Sequence, residues 1–509
     1  QFLRCLQGTG AGALAGGVLS LLVVLMSKVN VRFMFVSLEP SLYEMLTNGL
    51  GVEQAVGVLV VAGGVSGLFG VLIYSLPRLV RRPVVVSLGV VVGVGMFHEL
   101  IQLLIQAEAM DAVRQFFFTW DGLRPMGALS VAVLTALWVG FWDANRERMK
   151  RRFGSLPSKR QKVVKGASML LLGILVLIVF PLLAGNFVGQ VFLTIGLFIL
   201  MGMGLNLEIG IAGLLDMGFV AFFAVGAYAC ALLTADSPYA LSHYIEWFPE
   251  FNWWTSLSVS VLCALVVGVL LGIPVLKIRG DYLAVATLAT GEITRIVVLS
   301  DMAAPVLAGP QGIHNIPPPY LFNGTALDDP IQLYFVTLIA GGIAAWIAFK
   351  LENSRLGRAW TAIRDDEDVA QALGVNLLNV KLLAYGLGAA FAGLAGAIFA
   401  TMLKSIYPSS FQLLLSINVL ALIIVGGMGS LPGVVLGALV LIGLPELMRE
   451  FGDYRFFFYG LAIIVVMRLR PEGLWPSKAR RRERRLDEES KIAIQAELAR
   501  QGNDNLKGS

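Results

Sequence analysis

The chain reads as all-α: a polytopic transmembrane helical bundle of about ten core segments preceded by about four extra amino-terminal spans. Three observations predict this class. Charged residues make up 14% of the chain and apolar ones 57%, against roughly a quarter charged in soluble domains. The apolar residues fall in long runs near the length a helix needs to cross hydrocarbon, not in the short alternating segments of a barrel. The net charge of +5 sits in loops between those runs, the pattern of the positive-inside rule rather than of a nucleic-acid-binding face.

In chain order, four candidate spans come first, at 8–27, 55–76, 83–106 and 126–142. No clear A-x-A cleavage site closes the first apolar run before Lys28, so that run is expected to remain as a helix rather than leave as a signal peptide. Arg78, Arg81 and Arg82 place the turn after the second span in the cytoplasm. The run NRERMKRRFGSLPSKRQKVVK at 145–165 predicts a basic cytoplasmic linker, read as a topology determinant rather than as a nucleic-acid or lipid-headgroup patch. An accessory membrane domain at 1–144, a linker at 145–166, a main membrane domain at 167–476 and a charged cytoplasmic tail at 477–509 are therefore expected.

The main domain offers segments starting near Ala167, Phe187, Ala212, Thr255, Asp281, Ile331, Leu382, Phe411, Leu431 and Phe456. Several are short or glycine-broken, which fits tilted or re-entrant elements. Parity puts both termini, Lys277 with Arg279, the stretch 351–381 and the tail on the cytoplasmic side, and loops 235–254 and 300–330 opposite. Trp247, Trp253 and Trp254 read as an interfacial aromatic belt. Gly388, Ala392 and Gly396 form a small-xxx-small row, as do Gly63 with Gly67 and Gly89 with Gly93, predicting close helix approach.

The organising element is the polar island LENSRLGRAWTAIRDDEDVAQALGVNLLNVK at 351–381, between two apolar spans. Leu356, Ala359, Trp360 and Ile363 recur at helical spacing, so a short amphipathic helix is expected. Arg355, Arg358 and Arg364 fall mostly outside its apolar stripe. The cluster Asp365 to Asp368 suits the start of a second helix that ends at Gly374. A charged helical pair is more than a turn between spans requires. It reads as a docking surface whose apolar stripe enters a soluble partner's groove.

Polar groups at membrane depth must be satisfied by protein or a wet cavity. In GLNLEIGIAGLLDMGFVAFFAVGAY, Asn206, Glu208 and Asp216 stand among Gly204, Gly210, Gly213 and Gly218, with Tyr228 at the end. Such glycines let a helix break and expose backbone to a cavity. In IRGDYLAVATLATGEITRIV, Asp281, Thr287, Thr290, Glu292 and Arg295 recur. Glu292 and Arg295, at i and i+3, suit a structural ion pair as well as a substrate wall. Walker A, H-E-x-x-H, G-x-S-x-G and dinucleotide fingerprints do not occur. Cys5, Cys230 and Cys263 are scattered, with neither metal-site nor disulfide-framework spacing. His98 and Glu99 fall within the third span and read as a packed pair.

These stretches, with GPQGIHNIPPP, SRLGRAWTAIRDDEDVAQALGVN, KLLAYGLGAAFAGLAGAIFA, GGMGSLPGVVLGALVL and RPEGLW, resemble the permease subunit of branched-chain amino-acid ABC importers, the LivM type. The resemblance covers about 190–476 in the family's order. It makes 167–476 an importer permease core and 351–381 its coupling loop, with Arg355, Gly357, Arg358, Trp360, Ala362, Arg364, Asp365, Asp366, Ala370 and Gly374 as ATPase-coupling positions. The substrate pathway falls to Asn206, Glu208, Asp216, Gly218, Tyr228, Asp281, Thr287, Thr290, Glu292 and Arg295. The implied partners are a second homologous permease, two ATP-binding cassette subunits that hold ATP and Mg, a periplasmic substrate-binding protein and the lipid bilayer. No nucleic acid, no catalysis and no cofactor of its own are expected, in a bacterial inner membrane. A related urea or amide importer and an ion-coupled secondary carrier are the alternatives.

Overall fold

A computed structural model describes residues 2–28, 40–47, 49–104, 111–119, 122–154, 171, 173–236, 239–241, 251–278, 280–321, 323–449, 452, 454–477, 482 and 490. Most of the basic run at 155–165, the Ala167 start, His243, Trp247, Arg279 and nearly all of the tail lie outside them. Among the described residues nine helices are long and apolar enough to cross a bilayer, so the chain is a multi-pass all-α membrane protein. It forms two compact units, 1–102 with 109–172, and 103–108 with 173–509.

The first unit carries α1 (Phe2–Lys28), α2 (Pro40–Thr47), α3 (Val52–Ser75), α4 (Arg78–Met96), α6 (Asp111–Phe117) and α7 (Pro125–Gly154), with α5 (His98–Leu104) running to its boundary. Glycine makes the α1–α3 contact possible, because a Cβ on Gly12 would run into the Gly63 carbonyl and one on Gly67 into that of Gly8. The Gly89–Gly93 row behaves otherwise: a Cβ at either position would meet nothing within 4 Å. The third span also differs from expectation. It begins at Arg78 and stops at Phe97, after Gly89, Gly93 and Gly95 have weakened the helix. His98 thus opens a new short helix, its Nδ1 3.0 Å from the Gly95 carbonyl, instead of lying inside a span.

The second unit runs α8 (Phe180–Ala184), α9 (Asn186–Leu205), α10 (Val220–Thr234), α11 (Trp253–Val275), α12 (Asp281–Leu299), α13 (Ala304–Leu307) and α14 (Pro330–Glu352). Then follow α15 (Arg355–Asp365), α16 (Glu367–Ala372), α17 (Leu377–Leu403), α18 (Leu413–Gly426), α19 (Leu431–Ala438), α20 (Leu444–Leu447) and α21 (Tyr454–Leu469). Helix α17 is the axis of this unit. Its Ala/Gly-rich sequence lets neighbours approach to backbone distance: Gly396 lies on the backbone of Phe223 and Ala227 in α10, and Gly393 on Ala264 of α11. The Gly388, Ala392, Gly396 row is therefore a helix-packing seam.

Two expected features shift. The segment placed at Ala212 starts as a helix only at Val220, because Gly213 takes φ +76° and the backbone stays irregular until then. Trp253 is not part of an interfacial belt. It is buried, and its Nε1 donates to Thr401 Oγ1 at 2.6 Å, so the indole joins α11 to α17 while Trp254 reaches the Tyr320 carbonyl at 2.8 Å. Within 300–330, Ile313–His314 pairs antiparallel with Ser405–Ile406 beyond the end of α17.

Candidate functional site

The polar island folds as its sequence predicts. Ser354 caps α15, its Oγ accepting from Leu356 N at 3.1 Å and Gly357 N at 3.3 Å. Asp366 caps α16 by accepting from Val369 N at 2.9 Å. Gly374, at φ +90°, ends that helix, and Val375 N returns to the Ala370 carbonyl at 3.1 Å. Asn376 then caps α17.

The apolar stripe, however, faces inward, which corrects the expectation that it fills a partner's groove. Trp360 is fully buried, and its Nε1 donates to the Val380 carbonyl at 2.8 Å. Ile363 and Ala370 are buried with it. Gly357 lies where a Cβ would meet the Leu351 and Glu352 carbonyls, and Ala362 is half-buried. The physical reason is the short connection to both flanking spans, which holds the stripe against its own bundle. Lys381, in the second turn of α17, is buried and ion-paired with Glu367 of α16. The surface left outward carries Arg355, Arg358, Asp365, Asp366, Asp368, Val369 and Leu373. Arg364 differs from the other two arginines: it is half-buried, with Nη1 2.8 Å from the Gly210 carbonyl and Nη2 3.5 Å from Asp365 Oδ1.

That carbonyl belongs to a π-helical segment, Asn206–Ile211, which follows α9 directly. Asn206 and Glu208 in it, and Asp216 beyond it, are buried. Asn206 Oδ1 accepts from Gly429 N at 2.8 Å, and Asp216 Oδ1 from Gly218 N at 2.7 Å. The Glu208 and Asp216 carboxyls face each other, and among the described residues no donor reaches either Glu208 oxygen or Asp216 Oδ2. Gly388 of α17 accommodates Glu208, whose side chain occupies the space a Cβ would need. Tyr228 is buried too, its hydroxyl without a partner among the described residues. These five predicted pathway groups, Gly218 included, are thus enclosed by protein in this conformation.

The second predicted set lies on α12. Thr287 is buried and its Oγ1 accepts from Met217 N at 3.0 Å, while Gly218 and Gly291 let α12 lie directly on the irregular stretch. Asp281, Thr290, Glu292 and Arg295 are at least partly exposed. Arg295 Nε and Glu292 Oε1 are 3.1 Å apart, and Arg295 borders a narrow cleft with Thr294, Pro408 and Phe411. The helix face bearing it also shows Tyr282, Val285, Ile293 and Ile296. An ion pair with side chains 32% and 40% exposed, two-thirds of the way along a spanning helix, cannot rest against lipid tails without cost. It requires water or a polar partner.

Several participants escaped the sequence reading. Gly429 lies in GGMGSLPG and Ser416, which accepts from Val220 N at 2.9 Å, in α18. Lys381 offered the clearest signal, a lysine near the start of a long apolar run.

A family model described as branched-chain amino acid transport system / permease component matches residues 187–467. The chain is 39% identical over 302 residues, 55% of its own length and 68% of the relative's, to the high-affinity branched-chain amino acid transport system permease protein LivM of Escherichia coli strain K12. It is 22% identical over 331 residues to the probable branched-chain amino acid transport permease protein LivM of Methanocaldococcus jannaschii, covering 58% of this chain and 94% of that one. It is 27% identical over 179 residues to LivH, another high-affinity branched-chain amino acid transport system permease protein of Escherichia coli strain K12, covering 32% and 56%. No solved structure matches.

Proposed function

This chain belongs to the family of branched-chain amino acid transport system permease components, and from that premise we propose that it is half of the translocation pathway of an ATP-driven importer for branched-chain or other neutral amino acids. A second, homologous permease completes the pathway. Two ATP-binding cassette subunits, which hold ATP and Mg, dock below the permease pair, one of them on the outward face of α15 and α16, and a substrate-binding protein delivers cargo on the opposite side. The setting is a bacterial inner membrane with both termini in the cytoplasm. The observation that carries this reading is the island itself: a capped helical pair fixed to its own bundle by Trp360 and Lys381, presenting Arg355, Arg358, Asp365 and Asp366 outward. A rigid charged surface of that kind transmits displacement from a soluble subunit.

The exposed α12 face with Glu292 and Arg295 then borders the wet pathway between the two permeases, where the pair offers one charge of each sign to a zwitterion. Asn206, Glu208 and Asp216 stand behind it as the inner polar layer.

The test is uptake into proteoliposomes holding this chain, its homologous permease and the ATPase subunits, with the binding protein supplied outside. Leucine accumulation that needs internal ATP and ignores an uncoupler supports the proposal. Accumulation by this chain alone, collapsed by an uncoupler, favours an ion-coupled carrier instead.

A further inference from the structure

Of the three island arginines, only Arg364 turns inward. Its guanidinium reaches the carbonyl of Gly210, 154 residues away in sequence, at 2.8 Å. The acceptor belongs to the π-helical segment Asn206–Ile211, in which the Leu207 carbonyl accepts from Ala212 N and the Glu208 carbonyl from Leu214 N. The contact is built from both sides. Gly213, at φ +76°, brings the broken backbone onto the arginine stem, and a Cβ there would lie 2.6 Å from Arg364 Cγ. On its other flank the same segment is held by Gly429 N on Asn206 Oδ1.

Two links tie α15 and α16 to the continuous helix α17: Trp360 to the Val380 carbonyl, and Glu367 to Lys381. The Arg364 link leads elsewhere, to the break that carries Glu208 and runs into Asp216. A continuous helix passes on a push as rigid-body tilt, whereas a break whose carbonyls are only partly satisfied by its own helix yields locally.

We propose that Arg364 is an internal transmission joint: it is not a contact to the ATPase subunit, but moves the Asn206–Asp216 segment, and with it the Glu208–Asp216 carboxyl pair, when α15 is displaced. This rests on the importer reading for the origin of the displacement. The joint is a positioning device, and Arg364 touches neither cargo nor nucleotide.

The experiment compares Arg364→Met, Arg364→Lys and Arg358→Glu in the assembled transporter. Methionine keeps the apolar stem and removes the donor; lysine keeps a cation able to reach a carbonyl. For Arg364→Met the joint predicts normal co-purification of the ATPase subunits, retained ATP hydrolysis and leucine uptake reduced about ten-fold, with partial recovery in Arg364→Lys. Arg358→Glu is expected to lose co-purification instead.

An independent readout needs no transport: amide hydrogen exchange across 206–216 in the purified complex should quicken about ten-fold in Arg364→Met. Unchanged exchange there overturns the joint, whatever the uptake result. Loss of ATPase co-purification in Arg364→Met, with exchange at 206–216 unaltered, would make Arg364 a docking residue. A wild-type transporter without ATP-driven uptake refutes the importer reading, while faster exchange in Arg364→Met would still establish the mechanical link.

Discussion

Lys381 shows what one side chain does for the whole element. It is 4% exposed in the second turn of a long apolar helix, and Glu367 is its ion-pair partner. Removing one member of a buried pair strands the other's charge, which costs about 3–5 kcal/mol, whereas removing both costs much less. Thermal unfolding in detergent should therefore show Glu367→Met, which strands the buried Lys381 charge, as the most damaging of three variants. Lys381→Met should be milder, because the Glu367 it leaves unpaired is three-quarters buried rather than fully so, and the double variant should recover part of the loss. Trp360→Ala removes a fully buried indole and its bond to Val380, and should destabilise the island by about 3–5 kcal/mol. Limited proteolysis between 351 and 381 would report it. At Gly213, alanine would meet both a φ of +76° and the Arg364 stem, so lower stability of the second unit is expected, on the order of 1–3 kcal/mol.

At the scale of elements, α15, α16 and the base of α17 act as one body, joined by caps and by two internal links. Arg358→Glu reverses a charge on the outward face without touching those links. It is predicted to leave the melting temperature of the chain unchanged and to abolish association with the ATPase subunits, a combination that co-purification and a melting curve together check. The helical pair, the acidic cap of its second helix and the stop at Gly374 were legible in the sequence, because Asp366 and Gly374 are local signals; the Ser354 cap came only with the structure. The direction of the stripe was not. Periodicity defines an apolar face but not what covers it, and Trp360 proved to be covered by its own chain. The same limit applies to the polar cluster: the glycines of 204–218 announced a broken helix, yet Gly429 lies 223 residues from the asparagine it meets and Gly210 lies 154 from Arg364. Glu292 with Arg295 was readable as a pair from spacing, and its exposure only from the packing of α12.

At the scale of the molecule, the second unit contains the whole family match, since 187–467 falls inside 173–509. The all-α class, the multi-pass character and the family were accessible from composition and from motifs in order. The third span's early end at Phe97 was not, because glycine content weakens a helix without saying where it stops. If the first four spans are accessory, deleting residues 1–160 should leave a chain that inserts, pairs and transports. Degradation of the truncated chain in membranes would place those spans within the folding unit of the core.

The central claim is that a rigid island on this permease conveys the work of ATP hydrolysis to the pathway. Its most direct measurement is leucine uptake per ATP hydrolysed in proteoliposomes to which all the subunits are supplied, wild type beside Arg358→Glu. A fixed ratio in the wild type, and no ATP-dependent uptake in the variant although its permease pair is intact, is the predicted result. Equal coupled uptake by the two would contradict the account.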